Sequence, residues 1–360
     1  MHVPDGFINA PVSAVTGVVA AAAVAVSLRG ARRELGGASQ ALSGAGEKTA
    51  PLAGLVAAFI FAVQMLNFPV AAGTSGHLLG GALAAILVGP YTGVLCVSVV
   101  LLMQGILFAD GGLTALGVNI TDMAITTTVV AYLVFRGLVK VLPRTRRSVT
   151  AASFVAALLS VPAAALVFTA IYALGGTTDV PITKVLTAMV GVHVLIGLGE
   201  AVITAFTVGA VLAVRPDLVY GARGLSAPLK LRVGGQLVDA PAPAAAPAAA
   251  RPGSTRKVWG IGIVTALVLA GFVSFYASAS PDGLEKVAHD KGIDTKTSQH
   301  ASADSPLADY SVKDVGDARL AGGLAGVIGV GVTVAVGSGV FWALRRRRTE
   351  PAPERTPEAV

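Results

Sequence analysis

Charged side chains are scarce in this 360-residue sequence: Lys, Arg, Asp and Glu make up 13% of it. A soluble domain carries about 25%, so a water-exposed surface is excluded for most of the chain. Aromatic residues are few, at 6%, and the single cysteine, Cys96, sits in the apolar run GVLCVSVV. One thiol makes a disulfide framework impossible and excludes a thiolate metal cage. No Lys or Arg precedes Arg29, so the opening lacks the basic n-region of a secretory signal. There is no G-x-x-x-x-G-K run followed by Ser or Thr to cradle a nucleotide phosphate. No polar stretch is long enough for a nucleotide-binding domain.

What fills the chain instead is apolar, 54% of residues, with a mean hydropathy of +0.74. Runs approaching the ~20 residues that cross a bilayer fall at 8–28, 50–66, 78–88, 91–108, 113–135, 149–173, 185–213, 258–278 and 320–344. The third, HLLGGALAAILVGP, is short. It reads as a shallow or tilted helix, or as half of a helical hairpin turning at Gly89-Pro90. With the N-terminus outside and the spans alternating, the inner segments hold 21 of the 27 Lys and Arg residues. That is the positive-inside pattern, and it puts the C-terminus inside. The net charge of +7 is then a topological signal and needs no nucleic acid. The expected location is the cell membrane, crossed many times.

The expected fold is an all-α polytopic membrane protein in two parts. Residues 1–214 form a seven-helix unit, and 215–257 an inner, Ala/Pro-rich linker. Residues 258–344 form a two-helix unit, and 345–360 an inner tail. The run VDAPAPAAAPAAARPGS is low in complexity and stays extended rather than packing. Between the last two spans, the segment from Ser280 to Leu320 carries eight acidic and five basic residues and faces water. In lipid, the small residues spaced along GGALAAILVG and GGLAGVIGVGVTVAVGSG permit close helix contact. In the last span this suggests docking of the two-helix unit on the seven-helix unit.

The opening, MHVPDGFINA, places a free amine, a histidine and a tight turn ahead of the first span. In the topology above, Met1 and His2 lie outside, and so does NFPVAAGTSGHLLGG, which sets His77 at the mouth of the third span. Initiator Met is expected to stay before a residue as bulky as His. The Met1 amine, the amide nitrogen of residue 2 and the His2 imidazole then form fused chelate rings, and His77 supplies a fourth nitrogen. All-nitrogen tetragonal sets suit Ni(II), Cu(II) and, less selectively, Co(II). Pro4 and Gly6 favour a turn that folds the terminus back over the helices. Taken alone, such histidines are more often satisfied polar residues than ligands.

Three motifs, MHVPDGF, NFPVAAGTSGHLLGG and HVLIGLGEAVIT, resemble the substrate-capture membrane component of cobalt/nickel energy-coupling-factor transporters, the CbiM/NikM family. The tether and final helices resemble its small partner, CbiN/NikN, whose outer loop carries the pattern present here as PDGLEKVA and PLADY. The resemblance implies a metal site at the Met1 amino group, the backbone nitrogen and imidazole of His2, and the imidazole of His77. It also implies import of Ni2+ or Co2+ as substrate, with no ATPase in this chain. ATP hydrolysis is expected in cytoplasmic ATPase subunits acting through a transmembrane coupling protein. Square-planar nitrogen ligation leans toward nickel, although near-identical ligands serve both metals in that family.

Other polar residues sit at membrane depth, where an unpaired charge costs a few kcal/mol. Asp122 and Glu200 read either as residues that orient the ligands or contact the coupling protein, or as internal packing bonds. His193 lies seven residues before Glu200 on roughly the same helix face, as a gating or a packing residue. Asn67, Thr74 and Ser75 flank His77 as natural hydrogen-bond partners, and Asn119 is a weaker candidate of the same kind. Pro281, Asp282 and Gly283 form a turn expected to aim Leu284 and Glu285 at the folded terminus and so control metal loading. His289, His300 and the loop aspartates read as a solvated loop more readily than as a collecting site. Two rival functions remain: an intramembrane enzyme using Asp122 and Glu200 as an acid/base pair, and a metal-sensing receptor without transport.

Overall fold

Each of the nine apolar runs folds as a helix. A computed structural model describes residues 1–35, 49–71, 73–143, 145–223, 230–233, 236–239 and 255–346. In the first unit, α1 spans Ala10–Leu35, α2 Thr49–Gln64, α3 Gly81–Val88, α4 Pro90–Leu107, α5 Leu116–Val141, α6 Arg146–Gly175 and α7 Ile182–Val214. The second unit comprises α8 (Thr255–Gly271), the short α9 (Gly283–Lys291) and α10 (Ala318–Arg346). Among the described residues, seven helices are long and apolar enough to cross a membrane: α1, α4 to α7, and the segments Lys257–Tyr276 and Ala318–Leu344. The helix α2 is apolar but shorter.

The third run resolves into a hairpin half. All eight residues of α3 are buried, and at 1.5 Å per residue the helix rises only about 12 Å. Gly89 ends it with φ 103°, and Pro90 opens α4 in the first turn. A Cβ on Gly93 would press against the backbone of Ala84 and Ala85, so α3 and α4 lie side by side. Glu34, at the inner end of α1, accepts from Thr92 N at 2.8 Å and from the Thr92 hydroxyl at 2.7 Å. It thereby satisfies amides of the first turn of α4, where the helix dipole favours negative charge. This contact places the Gly89 turn at the inner end of α1. Helix α3 and the extended residues before it carry the chain from His77 to the Gly89 turn beside Glu34.

Small residues set the helix contacts, as the sequence suggests. A Cβ at Gly117 of α5 would collide with Gly17 of α1. On α10, one at Gly326 would strike Ala270 of α8, and one at Gly329 would strike the ring of Phe61 of α2. The two helices of the second unit thus pack on each other, and the unit is seated on the seven-helix unit through α2, which Gly329 of α10 and Gly262 of α8 both approach. The stretch 215–257 differs from a plain tether: β3 (Lys230–Val233) and β4 (Gln236–Asp239) pair antiparallel. The Gly234-Gly235 pair that lies between them in the sequence is a composition common in two-residue hairpin turns. The Ala/Pro run at 240–254 and the tail from 347 lie outside the described residues.

Two further strands build the outer mouth. Phe68–Ala71 (β1) and Thr74–Gly76 (β2) form an antiparallel hairpin that leads into His77 and α3. The Pro281 carbonyl accepts from Ser75 N at 2.8 Å, and the Asn67 carbonyl accepts from Ser278 N at 2.7 Å. The terminus, the β1–β2 hairpin and the segment beginning at Ser278 therefore meet at one end of the molecule.

Candidate metal centre

The first seven residues are pinned at almost every position. Asn119 clamps Val3 from both sides: Oδ1 accepts from Val3 N at 2.7 Å, and Nδ2 donates to Val3 O at 3.1 Å. Gly112 N donates to the same carbonyl at 2.9 Å. Asp5 Oδ1 accepts from Thr114 N at 2.8 Å, and Asp5 O from Ser298 N at 2.9 Å. Gly6 adopts φ 91°, and a side chain there would strike the backbone of Lys296. The Thr177 hydroxyl donates to Gly6 O at 2.7 Å. The turn folds the terminus back over the helices, as expected, and buries Met1 to 2% exposure.

Burial brings the three sequence-predicted ligands together. The Met1 amino nitrogen lies 2.6 Å from His77 Nε2. His77 Nδ1 lies 3.0 Å from Leu78 O, so Nδ1 donates there and Nε2 presents its lone pair to the amine. The His2 ring stacks on His77, with centroids 5.0 Å apart and planes 24° apart. Two nitrogens bonded at right angles to one ion at about 2.0 Å stand roughly 2.8 Å apart. The amine and His77 Nε2 are close to that spacing already. Burial pushes the His2 imidazole down to about 4, against the opposing pull of Asp110, so the ring is neutral at physiological pH. A neutral imidazole is the form that ligates.

The second unit contributes a carboxylate. Asp282 Oδ2 lies 2.7 Å from the Met1 ammonium and 3.5 Å from His77 Nε2. His2, His77 and Asp282 each offer a donor atom, all within 4.8 Å of one another. Burial works to raise the Asp282 carboxyl, but the Met1 ammonium, with His77, holds it well below the usual carboxylate range. A cavity of about 1000 Å3 leads to this cluster from between the two units, lined by His2, His77, Asp110, Asp282, Glu285 and Tyr310 among others.

The turn at 281–283 works differently from the expectation. Asp282 is the N-cap of α9: its Oδ1 accepts from Glu285 N at 2.8 Å, and Glu285 Oε2 accepts from Asp282 N at 3.3 Å. This reciprocal capping box turns Glu285 back onto its own helix, while Leu284 is buried in packing. Asp282, and neither of those two, reaches the terminus. Pro281 holds β2 through its carbonyl, and Gly283 leaves room for His193, whose ring lies 3.3 Å from where a Cβ would stand.

The flanking residues also divide. Ser75 donates its hydroxyl to Ser280 O at 2.7 Å, and so anchors the turn rather than His77. Thr74 is buried in β2 opposite Ala71, and Asn67 lines the cavity while its carbonyl takes Ser278 N. His77 is served instead by Met1 and the Leu78 carbonyl, because strand pairing directs its neighbours' polar groups to the docked loop. Glu200 accepts from Leu79 N at 2.6 Å and Gly80 N at 3.2 Å, which fixes the backbone directly after His77. His193 donates Nδ1–H to Met189 O at 2.7 Å, and its Nε2 has no hydrogen-bond partner.

Asp122 lies in a π-helical turn, Ile120–Thr126, within α5, fully buried and with neither oxygen hydrogen-bonded. Both Glu200 oxygens accept from backbone amides, and no hydrogen bond joins Glu200 to Asp122. His289 pairs with Asp294 on the surface at 3.1 Å, and His300 lies 3.2 Å from Gly111 O. The two histidines are not brought together. Three residues absent from the sequence reading surround His2: Gln104, Asp110 and Tyr310. The only signal for the last was its place in PLADY.

The chain matches the family model described as cobalt uptake substrate-specific transmembrane region, CbiM, over residues 2–218, and the PDGLE domain over residues 256–346. A protein of Archaeoglobus fulgidus, provisionally named a fused nickel transport protein NikMN, is 38% identical over 219 residues, or 61% of this chain and 68% of that one. The cobalt transport protein CbiM of Geobacter sulfurreducens is 32% identical over 224 residues, 61% of each chain. A crystal structure of a truncated transition metal transporter aligns with a TM-score of 0.50 at 26% identity, covering 59% of this chain and 99% of that one.

Proposed function

Because the chain belongs to the family of cobalt-uptake substrate-specific transmembrane regions, we propose that it captures Ni2+ or Co2+ at the outer face as the substrate-specific component of an energy-coupling-factor importer. The ligands are the Met1 amine, the amide nitrogen and Nδ1 of His2, and His77 Nε2. The observation that carries this reading is the buried Met1 amine 2.6 Å from His77 Nε2. Two basic nitrogens so close share either a proton or a cation. Nitrogen donors in a tetragonal arrangement suit the late divalent ions of the first transition row.

In the metal-free state Asp282 supplies the counter-charge to the ammonium. An arriving ion takes the place of one proton on the Met1 ammonium and one on the His2 amide, both released to water in the cavity. Asp282 stays beside it as the nearest anion, so the second unit governs loading. Asn119 and Glu200 act on the backbones next to His2 and His77 and hold both ligands in place. The working units are residues 1–214 and 258–344, joined by the linker 215–257 and followed by the tail 345–360. A transmembrane coupling protein and cytoplasmic ATPase subunits complete the importer, since this chain has no phosphate-binding loop.

The test is to titrate the purified protein with nickel and cobalt against a competing chelator, then to co-reconstitute it with its coupling protein and ATPase. One ion bound per chain, and ATP-dependent uptake only in the full assembly, are expected. Absence of binding, or uptake unaffected by omitting the ATPase, contradicts the proposal.

A further inference from the structure

Behind the His2 imidazole, four side chains close a ring. Tyr310 donates its hydroxyl to Asp110 Oδ2 at 2.6 Å. Gln104 Nε2 donates to the Tyr310 oxygen at 2.8 Å. Gln104 Oε1 faces His2 Nε2 at 3.2 Å, and Asp110 Oδ1 faces His2 Nδ1 at 3.3 Å. An ionised carboxylate only accepts, so the phenol proton is committed to Asp110. The phenol oxygen must then accept, and it does so from the Gln104 amide. That turns the Gln104 carbonyl toward His2, and Nε2 must carry the ring proton. Nδ1 keeps its lone pair, and Nδ1 is the nitrogen that can chelate together with the amide of the same residue.

We propose that Tyr310 is a positioning residue of the metal site: through Gln104 it holds His2 in the tautomer whose Nδ1 is free for the ion. The inference rests on the assignment of Met1, His2 and His77 as ligands. The proton ring has one alternative sense. In it the phenol donates to Gln104, the amide donates to His2 Nε2, and Nδ1–H donates to Asp110, which blocks the chelating nitrogen. That sense sets the phenol lone pair against the Asp110 carboxylate at 2.6 Å, a closer and costlier opposition than the one the first sense leaves between the Nδ1 lone pair and Asp110 Oδ1 at 3.3 Å. The distances also favour the first sense, since an N–H donor bond runs about 2.7–3.2 Å and the Nδ1 gap of 3.3 Å lies outside that range.

The chain goes to some length to place this phenol. Asp309 and Tyr310 take φ 53° and 55°, left-handed values uncommon away from glycine. Asp309 N donates to Phe108 O at 2.9 Å, and the Tyr310 ring stacks on Phe108 with centroids 4.9 Å apart. Phenylalanine at 310 keeps that stack and loses only the hydroxyl. The second unit thus reaches the site twice, with a charge at Asp282 and with a proton constraint at Tyr310.

The experiment compares full-length wild type with Tyr310→Phe. Histidine labelled with 15N reports which ring nitrogen of His2 is protonated in the metal-free protein, and chelator competition reports nickel affinity. Wild type is expected to show Nε2–H. Y310F is expected to move toward Nδ1–H and to bind nickel about 10–100-fold more weakly, the usual cost of losing a group that orients a ligand. Weakened packing alone leaves the tautomer where it was, so an unchanged tautomer overturns the role even if affinity falls. Equal affinity in the two proteins overturns it as well. A wild-type protein that binds neither nickel nor cobalt overturns the ligand assignment itself, and the role of Tyr310 with it.

Discussion

The Met1 amino nitrogen sits 2.6 Å from His77 Nε2, across 76 positions of sequence. Neither group is placed by its own segment alone. The terminus is held by Asn119 of α5, and His77 is held by Glu200 of α7 through the amides of Leu79 and Gly80. Two separate helices of the first unit, α5 and α7, thus converge on one pair of nitrogens. Both donors are fixed by the fold's own hydrogen bonds, which lowers the ordering cost of binding an ion.

Replacing His77 by Ala removes a ligand and leaves the three-nitrogen chelate of the terminus. Nickel affinity is expected to fall by more than about 100-fold, beyond the loss typical of an orienting partner, while the helices stay folded. Chelator competition and circular dichroism on the same sample check this. Normal metal transport by H77A would place the fourth ligand elsewhere, with His193 next in line.

Asn119 grips both the amide and the carbonyl of Val3, one residue from the proposed amide donor. Asn119→Ala is expected to weaken metal binding by about 10–100-fold and to destabilise the fold by about 1–3 kcal/mol, the usual cost of stranding buried polar groups. Asn119→Asp keeps the acceptor for Val3 N and should fall between the two. An alanine variant with full affinity would show that Val3 needs no clamp.

Asp282→Asn separates two jobs of one side chain. Asparagine caps helices as well as aspartate, so α9 is expected to persist, but the ammonium loses its counter-charge. Initial uptake at limiting metal is expected to fall several-fold, with equilibrium affinity no lower than wild type. Unchanged uptake would leave Asp282 as a cap alone.

Acid should loosen the metal-free protein through His2. Its folded value of about 4 lies below the ordinary 6.5, so between these values the unfolded chain binds more protons than the folded one. Stability is therefore present in full above about pH 6.5 and lost as pH falls toward 4, by on the order of 3 kcal/mol. Asp282, held low by the Met1 ammonium after burial is offset, adds a loss in the same direction at still lower pH. Thermal unfolding from pH 7.5 to 4.5 should show the decline, and His2→Asn should flatten its upper part. An equal decline in that variant would assign it to other groups.

The helices were legible because lipid demands one thing of a span, a continuous apolar run, and each such run folds as a helix. Met1, His2 and His77 were legible because the terminus and the HLLGG mouth fall on one side of any charge-consistent topology. The third span shows the limit: eight buried residues in α3 pass for a weak segment until Glu34 is seen tying its far end to α1. Asp282 was readable as a capping box, since D-G-L-E has the N-cap-to-N3 spacing. That reading would have given Leu284 and Glu285 to the helix and left Asp282 facing the terminus. Gln104 and Asp110 left no local pattern, and PLADY gave Tyr310 no role. The first two lie together at the end of α4, Tyr310 lies 200 positions away from Asp110, and only tertiary packing makes them one ring.

The amine is the central claim, and adding one glycine before Met1 tests it most directly. The extension turns the ammonium into a neutral amide, which does not pair with Asp282 as a charge and binds a metal only after losing its own proton, and it moves the free amine one residue away from His77. Nickel and cobalt affinities of the extended and native proteins should be compared under the same chelator competition, with removal of the extra residue by a protease as the control. The account predicts that tight binding is lost in the extended protein and restored after cleavage. Equal affinity before and after cleavage would contradict it.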